Sequence, residues 1–367
     1  MDFDLNDDLG AVRELAAKIF ADRATVERVA AVEKQGGFDA DLWRVLAGAD
    51  LLGICLSERD GGAGLGMSGL AVLLEEVGRH VAPVPLWNVI AGGLLPVAQF
   101  GSDDQRNRIL PRVLDGSTLL VGAFDDTVSV TATQRGDALE LTGEVISVPA
   151  GAQADLVLVP VKEADQAHLV LVPTADLSVT PVEVTSRESH ASIDFNGAVV
   201  TPQDILATGH NALQWTLRRL RVALAAVSVG VCAEALATTA KYTSERVQFG
   251  RPLSTNQAVA VRAADAYLDT EAIRVCTQRA AWLLDEGGEE EAEITAVVAK
   301  WWASRGGLRV VHATQHLHGG IGADVDYPIH RYFLWGRQVA FTLGTADALA
   351  AELGDRLPAA PPIGAPA

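Results

Sequence analysis

A chain of 367 residues that is 49% hydrophobic and 21% charged is long enough for two or three domains, and this balance excludes disorder as its main state. Its 29 basic residues against 47 acidic ones give a formal charge of −18. A field of that sign repels phosphate backbones and anionic lipid, so nucleic-acid and membrane-surface roles are set aside, and an anionic ligand needs a local basic pocket.

Residues 9–115 read as helices: Val12, Leu15, Ala16, Ile19 and Phe20 recur at helical spacing, as do Leu42, Val45 and Leu46. Ser68 fits as the cap of a helix over 69–80, and Ser102 with Asp103 as the cap of one over 105–114. Between them, Gly61-Gly62-Ala63-Gly64-Leu65-Gly66 lacks the feeding strand and the spacing of a dinucleotide fingerprint, and reads as a structural turn. From about Ser117 the period becomes two. Short β-branched runs at 119–124, 127–133, 139–148, 154–161, 168–172, 179–184 and 191–195 predict an antiparallel sheet or barrel, which Pro202 and Asp204 close. Long helices return from Asn211. The run 213–244 is apolar almost all round and predicts a buried central helix, followed by helices over 256–285, 290–318 and 344–356. Gly287-Gly288 followed by Glu289-Glu290-Glu291 reads as a loop feeding an acidic helix start, and the Pro/Ala/Gly stretch 358–367 as a disordered tail. The predicted class is α+β, with an N-terminal helical domain (1–116), a middle β domain (117–205) and a C-terminal helical bundle (206–357).

The acidic start lacks the basic region of a signal peptide, and no apolar run approaches the roughly 18 residues of a spanning helix. Cys55, Cys232 and Cys276 are too scattered for a disulfide framework or a cysteine zinc site, so the expected compartment is the cytoplasm. His312, His316 and His318 have spacings that raise a metal site. No carboxylate or cysteine stands at ligand spacing beside them and Gly-Gly follows at once, so no metal is expected.

Two clusters carry chemistry. Arg246-Val247-Gln248-Phe249-Gly250-Arg251-Pro252, followed by Asn256-Gln257, ends the long helix; locally it is a helix C-terminus that favours cations, with Gly250 and Pro252 as stop signals. His316-Leu317-His318-Gly319-Gly320-Ile321-Gly322 places paired glycines at a helix end, where the backbone can approach a ligand and expose amide N–H groups. Arg218, Arg219 and Arg221 form a basic island that is either a solvated turn or an anion contact.

With the α–β–α order, these clusters resemble the flavin-dependent acyl-CoA dehydrogenase family over essentially the whole chain. Ser57-Glu58-Arg59-Asp60-Gly61-Gly62-Ala63-Gly64, Glu75-Glu76-Val77-Gly78-Arg79, and Phe100-Gly101-Ser102 through Leu110-Pro111 to Asp115-Gly116 match further family stretches, with Ser57 in place of a proline. The resemblance implies the family fold (N-terminal helical domain, middle antiparallel β domain, C-terminal four-helix bundle) and FAD as cofactor. It implies that Arg246 reaches across a subunit interface to the FAD pyrophosphate, with Gln248, Phe249, Asn256 and Gln257 around it. Gly319 and Gly320 would lie along the FAD, with His316 at the family's glutamine position, and Arg221 at the place of a substrate-pocket arginine.

Desaturation of an acyl thioester requires a carboxylate base. The family's usual base precedes a Gly-Thr pair, where this chain has Leu343-Gly344-Thr345; the alternative place on the long helix is Leu220. No Asp or Glu lies between Asp204 and Glu234 or between Asp326 and Asp347, so no catalytic residue is assigned. The flavin-ring segments read Gly122-Ala123-Phe124-Asp125-Asp126 and Glu144-Val145-Ile146-Ser147-Val148, without the family's tryptophan. The resemblance therefore narrows to the base-lacking subunit of actinobacterial α2β2 steroid-CoA dehydrogenases, which Tyr327-Pro328-Ile329-His330-Arg331-Tyr332-Phe333 also resembles. It implies a homologous partner that carries the catalytic glutamate, an acyl-CoA substrate, and an electron-transfer flavoprotein as acceptor. The alternatives are a self-sufficient homotetrameric dehydrogenase or oxidase with an unrecognised base, and a flavin-free acyl-CoA-binding scaffold.

Overall fold

The computed structural model describes residues 4–124 and 128–357; the expected tail at 358–367 and residue 127, the first of the second strand run, lie outside them. Helix α1 (Asp7–Arg23) starts where Asn6 accepts from the Leu9 amide, and it buries Val12, Ala16 and Phe20. Helices α2 (Val26–Glu33), α3 (Ala40–Gly48) and α4 (Gly66–His80) follow, then α5 (Leu86–Val89), a π-helical turn (Ile90–Leu94), α6 (Leu95–Phe100) and α7 (Asp103–Leu114). Ser102 caps α7 as expected, and it forms a capping box with Gln105, while Asp103 is the first residue of the helix. Ser68 does not cap α4. The amides of Met67 and Ser68 instead donate to the Asp285 carboxylate at 2.6 and 2.9 Å, and the Ser68 hydroxyl joins them at 2.6 Å. A carboxylate suits a helix N-terminus better than a hydroxyl does, because it also meets the helix dipole. Gly66 makes this approach possible, since a Cβ there would overlap the carboxylate.

The middle of the chain forms strands β1 (Leu120–Gly122), β2 (Val130–Arg135), β3 (Ala138–Thr142), β4 (Glu144–Pro149), β5 (Leu156–Glu163), β6 (Gln166–Pro173), β7 (Ser178–Val182), β8 (His190–Asp194), β9 (Val199–Val200) and β10 (Ile205–Thr208). The larger sheet runs β10-β6-β5-β2-β3-β9 with β1 also on β5, and β4-β8-β7 forms a second sheet. Pairing is antiparallel, as expected, except that β1 and β2 run parallel to β5. The single run expected over 139–148 breaks at Gly143 (φ 133°) into β3 and β4, which join different sheets.

The C-terminal part holds α8 (His210–Glu245), the hairpin β11 (Val247–Gln248) and β12 (Arg251–Pro252), then α9 (Gln257–Asp285), α10 (Glu289–Leu317), α11 (Ile329–Phe341) and α12 (Ala346–Arg356). α8 packs against α4, α9, α10 and α11, so its all-round apolar surface is used inside the fold. By length and composition α8 does pass as a membrane span, contrary to the expectation that no run approaches one; 72% of that stretch is buried in the protein. Helix α9 leaves a stripe exposed. Val261, Leu268, Val275 and Trp282, spaced by seven, are 53, 65, 44 and 39% exposed and extend over roughly 32 Å of helix.

Candidate functional site

Two chain reversals build the site. α8 ends where the Arg246 amide donates to the Tyr242 carbonyl at 2.8 Å, and the chain then folds into the β11–β12 hairpin. Phe249 (φ 54°) and Gly250 (φ 78°) form its turn, the pair of positive φ values that a tight two-residue hairpin requires. The Leu253 amide closes the hairpin on the Arg246 carbonyl at 2.9 Å. The hairpin stands away from the fold: Arg246 and Gln248 are exposed, and Phe249 is 94% exposed. Among the described residues, Arg246 has no ion pair, although the chain carries an excess of acids.

The opposite wall is the end of α10. Gly319 (φ 63°) turns the backbone, and a 3-10 turn, Gly319–Ala323, follows. His318 is buried, its Nδ1 2.8 Å from the Thr314 carbonyl oxygen, and the Tyr242 ring stacks on it with centroids 4.5 Å apart. The Tyr242 hydroxyl donates to the His318 carbonyl at 3.3 Å, which ties the end of α8 to the end of α10. Burial pushes the His318 imidazole below its ordinary range, against the backbone hydrogen bond to Thr314.

Between these walls lies a cleft of about 560 Å³. It brings together Arg246, Gln248, His316, Gly319 and Gly320 from the expected set. Tyr242, Leu253, Val259 and His318 line it too. Tyr242 stands one helical turn before Arg246, and that spacing was the signal available for it. Phe249 lies outside the cleft on the hairpin tip. Asn256 braces the hairpin base, accepting from Arg251 at 2.7 Å and donating to the Leu253 carbonyl at 3.2 Å. Gln257 lines a separate shallow depression with Val261 and Arg262. An unpaired guanidinium facing a glycine turn suits a phosphate-bearing ligand.

Arg221 lies elsewhere, on α8, where it donates twice to Glu352 of α12, both at 2.8 Å. Arg218 and Arg219 both donate to Glu289, at 2.9 and 2.6 Å, and Arg219 also lies 3.5 Å over the Trp215 ring. The basic island is thus compensated within the C-terminal helices. His312 packs edge-on against Phe333, away from His318, and among the described residues no three His, Cys, Asp or Glu side chains cluster as metal ligands do.

The two base positions are buried leucines. Leu220 is fully buried, and a Cβ on Gly92 would sit 3.1 Å from its Cδ2. Leu343 is 5% exposed and adopts φ 54°, with Gly344 at 115°. Beneath this turn lies a fully buried lysine: Lys300 Nζ donates to the Val339 and Gly344 carbonyls, both at 3.0 Å, and to Ser304 Oγ at 2.6 Å. On the flavin-ring segments, the Asn88 side chain pairs with both backbone groups of Gly122, at 2.7 and 2.9 Å, and Ser147 Oγ lies 3.0 Å from His190 Nδ1. Asp125 and Asp126 of those segments lie outside the described residues. A groove of about 1160 Å³ between α2, the β7–β8 connection and α11 contains Glu188, whose carboxyl burial pushes up to about 7.

Residues 207–357 match the family profile described as acyl-CoA dehydrogenase, C-terminal domain, and residues 6–117 the one described as acyl-CoA dehydrogenase, N-terminal domain. The acyl-CoA dehydrogenase FadE27 of Mycobacterium tuberculosis is 33% identical over 337 residues, covering 88% of this chain and 90% of that protein. Among solved structures, a steroid ACAD, a Tcur3481–Tcur3483 variant, superposes with a TM-score of 0.90 at 46% identity over 96% of this chain and 98% of that one. The ChsE4–ChsE5 complex from Mycobacterium tuberculosis superposes with a TM-score of 0.93 at 32% identity over 99% and 100%.

Proposed function

Because this chain belongs to the acyl-CoA dehydrogenase family of FAD-dependent oxidoreductases, we propose that it is the base-lacking subunit of a heteromeric enzyme that desaturates an acyl-CoA thioester. The supporting observation is a pairing of opposites: an outward-facing, unpaired Arg246 in a formed cleft, and leucines sealed at both base positions. The division into domains at 1–116, 117–205 and 206–357 belongs to the same proposal.

The cleft fits a dinucleotide. Arg246 would hold the pyrophosphate through charge-assisted hydrogen bonds, with Gln248, His316, Gly319 and Gly320 beside it and Phe249, Asn256 and Gln257 shaping the hairpin and its approach. FAD, when bound, supplies the hydride acceptor for the desaturation. This chain contributes orientation of the cofactor across the interface, while the partner contributes the glutamate that removes the α-proton. The assembly is an α2β2 tetramer in the cytoplasm, with an electron-transfer flavoprotein as acceptor. The ChsE4–ChsE5 relative is itself a complex, and the Tcur3481–Tcur3483 relative is named a steroid ACAD, so a steroid side-chain thioester is the proposed substrate. The exposed apolar stripe of α9 favours assembly over a free monomer. Arg221, held by Glu352, is a substrate contact only if that pair opens.

The test is single-turnover bleaching of flavin absorbance. The chain alone, loaded with FAD, should not bleach with acyl-CoA or steroid-CoA thioesters, whereas the complex should. Leu343→Ala should leave turnover of the complex intact while destabilising it by about 2–4 kcal/mol through the cavity it creates, and replacing the partner's glutamate should abolish turnover. Bleaching by the lone chain would overturn the proposal. Glu188 favours one alternative, a self-sufficient enzyme, because a carboxyl near 7 in a groove has the acidity of a general base. Lone-chain bleaching that Glu188→Gln abolishes would establish that alternative.

A further inference from the structure

Past the glycine turn, the wall of the cleft stays exposed as far as Asp326, apart from Gly322. Bonds within the segment hold it together: Gln315 Nε2 donates to the Gly322 carbonyl at 2.9 Å, and the Asp324 and Tyr327 amides donate to the carbonyls of Ile321 and Asp324 at 3.1 and 3.2 Å. An exposed segment of this kind stands where its two ends are fixed. The upstream end is tied to α8 by the Tyr242 contacts with His318. The downstream end passes Tyr327, whose ring centroid lies 5.4 Å from that of His318, and enters α11. There the N-terminal helices take hold of it. Arg331 Nε and Nη2 donate to the two carboxylate oxygens of Glu33, the last residue of α2, at 2.9 and 3.1 Å. The Tyr332 hydroxyl donates to the Arg79 carbonyl of α4 at 2.8 Å. Arg187, from the β7–β8 connection, reaches the same Glu33 carboxylate at 3.6 Å, so arginines from the middle and C-terminal parts meet on one N-terminal acid.

Stability does not account for Glu33. Its side chain is 8% exposed and that of Arg331 is 5% exposed, so both charges have left water, and an acid at the C-terminal end of a helix opposes the helix dipole. Two packed apolar side chains would hold α2 to α11 at least as well. What they would lack is direction, because a bidentate guanidinium–carboxylate pair prescribes one relative placement and hydrocarbon surfaces do not. Resting on the assignment of the cleft to FAD, we infer that Glu33 is a positioning residue for the cofactor: through Arg331 it sets where the downstream end of the glycine-turn wall stands. Glu33 itself does not line the cleft, and neither does any other residue of the N-terminal helices. Cofactor affinity thus depends on a part of the chain that the cofactor does not touch.

The experiment is titration of the flavin-stripped complex with FAD, followed by flavin fluorescence, beside urea unfolding of the same proteins. Glu33→Gln should weaken FAD about twofold to thirtyfold. The double variant Glu33→Met/Arg331→Met separates direction from stability. It replaces the pair with packed hydrocarbon, so its urea midpoint should lie above that of Glu33→Gln while its FAD affinity stays as low. If FAD affinity returns to the wild-type value in the double variant, a stable junction is all the cofactor requires, and the inference is overturned. Unchanged affinity in Glu33→Gln, where Arg246→Ala weakens FAD, overturns it too and leaves the cleft assignment standing. If neither Glu33→Gln nor Arg246→Ala affects FAD, the cleft assignment falls and the inference with it. Should Glu33→Gln fail to assemble, hydrogen exchange in the full chain decides: the amides of 319–327 should exchange faster than in wild type, and equal exchange overturns the inference.

Discussion

Helix α10 serves two regions that treat their polar groups in opposite ways. In its middle, Lys300 lies under the Leu343–Gly344 turn with its amine directed at three oxygens of the same chain. At its end, His318 keeps an unpartnered nitrogen, and across the cleft Arg246 stands in solvent without an acid. A chain that folds by itself pairs nearly all of its buried polar groups, so a satisfied cluster marks a region that is complete. An exposed guanidinium over a cleft, by contrast, leaves room for the anion of another molecule. The turn also keeps a positive φ at a leucine, a conformation costing of order 1 kcal/mol, so its shape persists where no acid remains to use it.

The contrast breaks most visibly at Lys300. Lys300→Met should strip two buried carbonyls of their donor and destabilise the chain by about 2–5 kcal/mol in urea unfolding, yet leave FAD affinity of the surviving complex unchanged. A parallel fall in FAD affinity would mean that the turn and the cleft are one functional unit. Arg246→Ala should do the reverse. It should lower FAD affinity by about 1.5–3 kcal/mol, tenfold or more, with the urea midpoint of the flavin-free complex unmoved, since an exposed, unpaired arginine stabilises nothing. Unchanged FAD affinity would reduce Arg246 to a helix-end cation.

The smallest expected effect is on pH dependence. Burial holds His318 below its ordinary 6.5, so below that pH the unfolded chain takes up a proton that the folded chain refuses. Stability from this group is full above 6.5 and is lost as pH falls through the folded value. His190, pushed down to about 4, and His330 slope in the same sense, so the quantity to measure is the difference between wild type and His318→Phe from pH 8 to pH 5. A difference that stays flat across that range would place His318 in solvent.

Periodicity made most elements legible. The long runs became α8, α9 and α10, and alternation found the strands that occupy the middle of the sheets. α11 escaped although Ile329, Tyr332, Trp335 and Val339 recur at helical spacing, because Pro328 precedes it and no side chain caps it. β9 and β10 are too short to alternate. Within the site, Arg246 and the glycine turn stood in local motifs, so their positions could be read; the imidazole's missing partner could not, because it depends on what surrounds His318 in space. The same limit hid Glu352, which holds Arg221 from 131 residues away. Local spacing does not encode such a partner.

Asp285 adds a dimension of time. It supplies the N-terminal cap of α4 from 217 residues beyond Ser68. A ribosome adds roughly 5–20 residues per second, so α4 emerges with its first amides bare, and tens of seconds pass before the carboxylate that receives them has been made. A cap is worth about 1 kcal/mol, enough to leave the start of that helix frayed in the interval. During synthesis the N-terminal layer therefore waits on the end of α9 for its final hydrogen bonds, and a nascent chain halted before residue 285 carries a first domain that has yet to close.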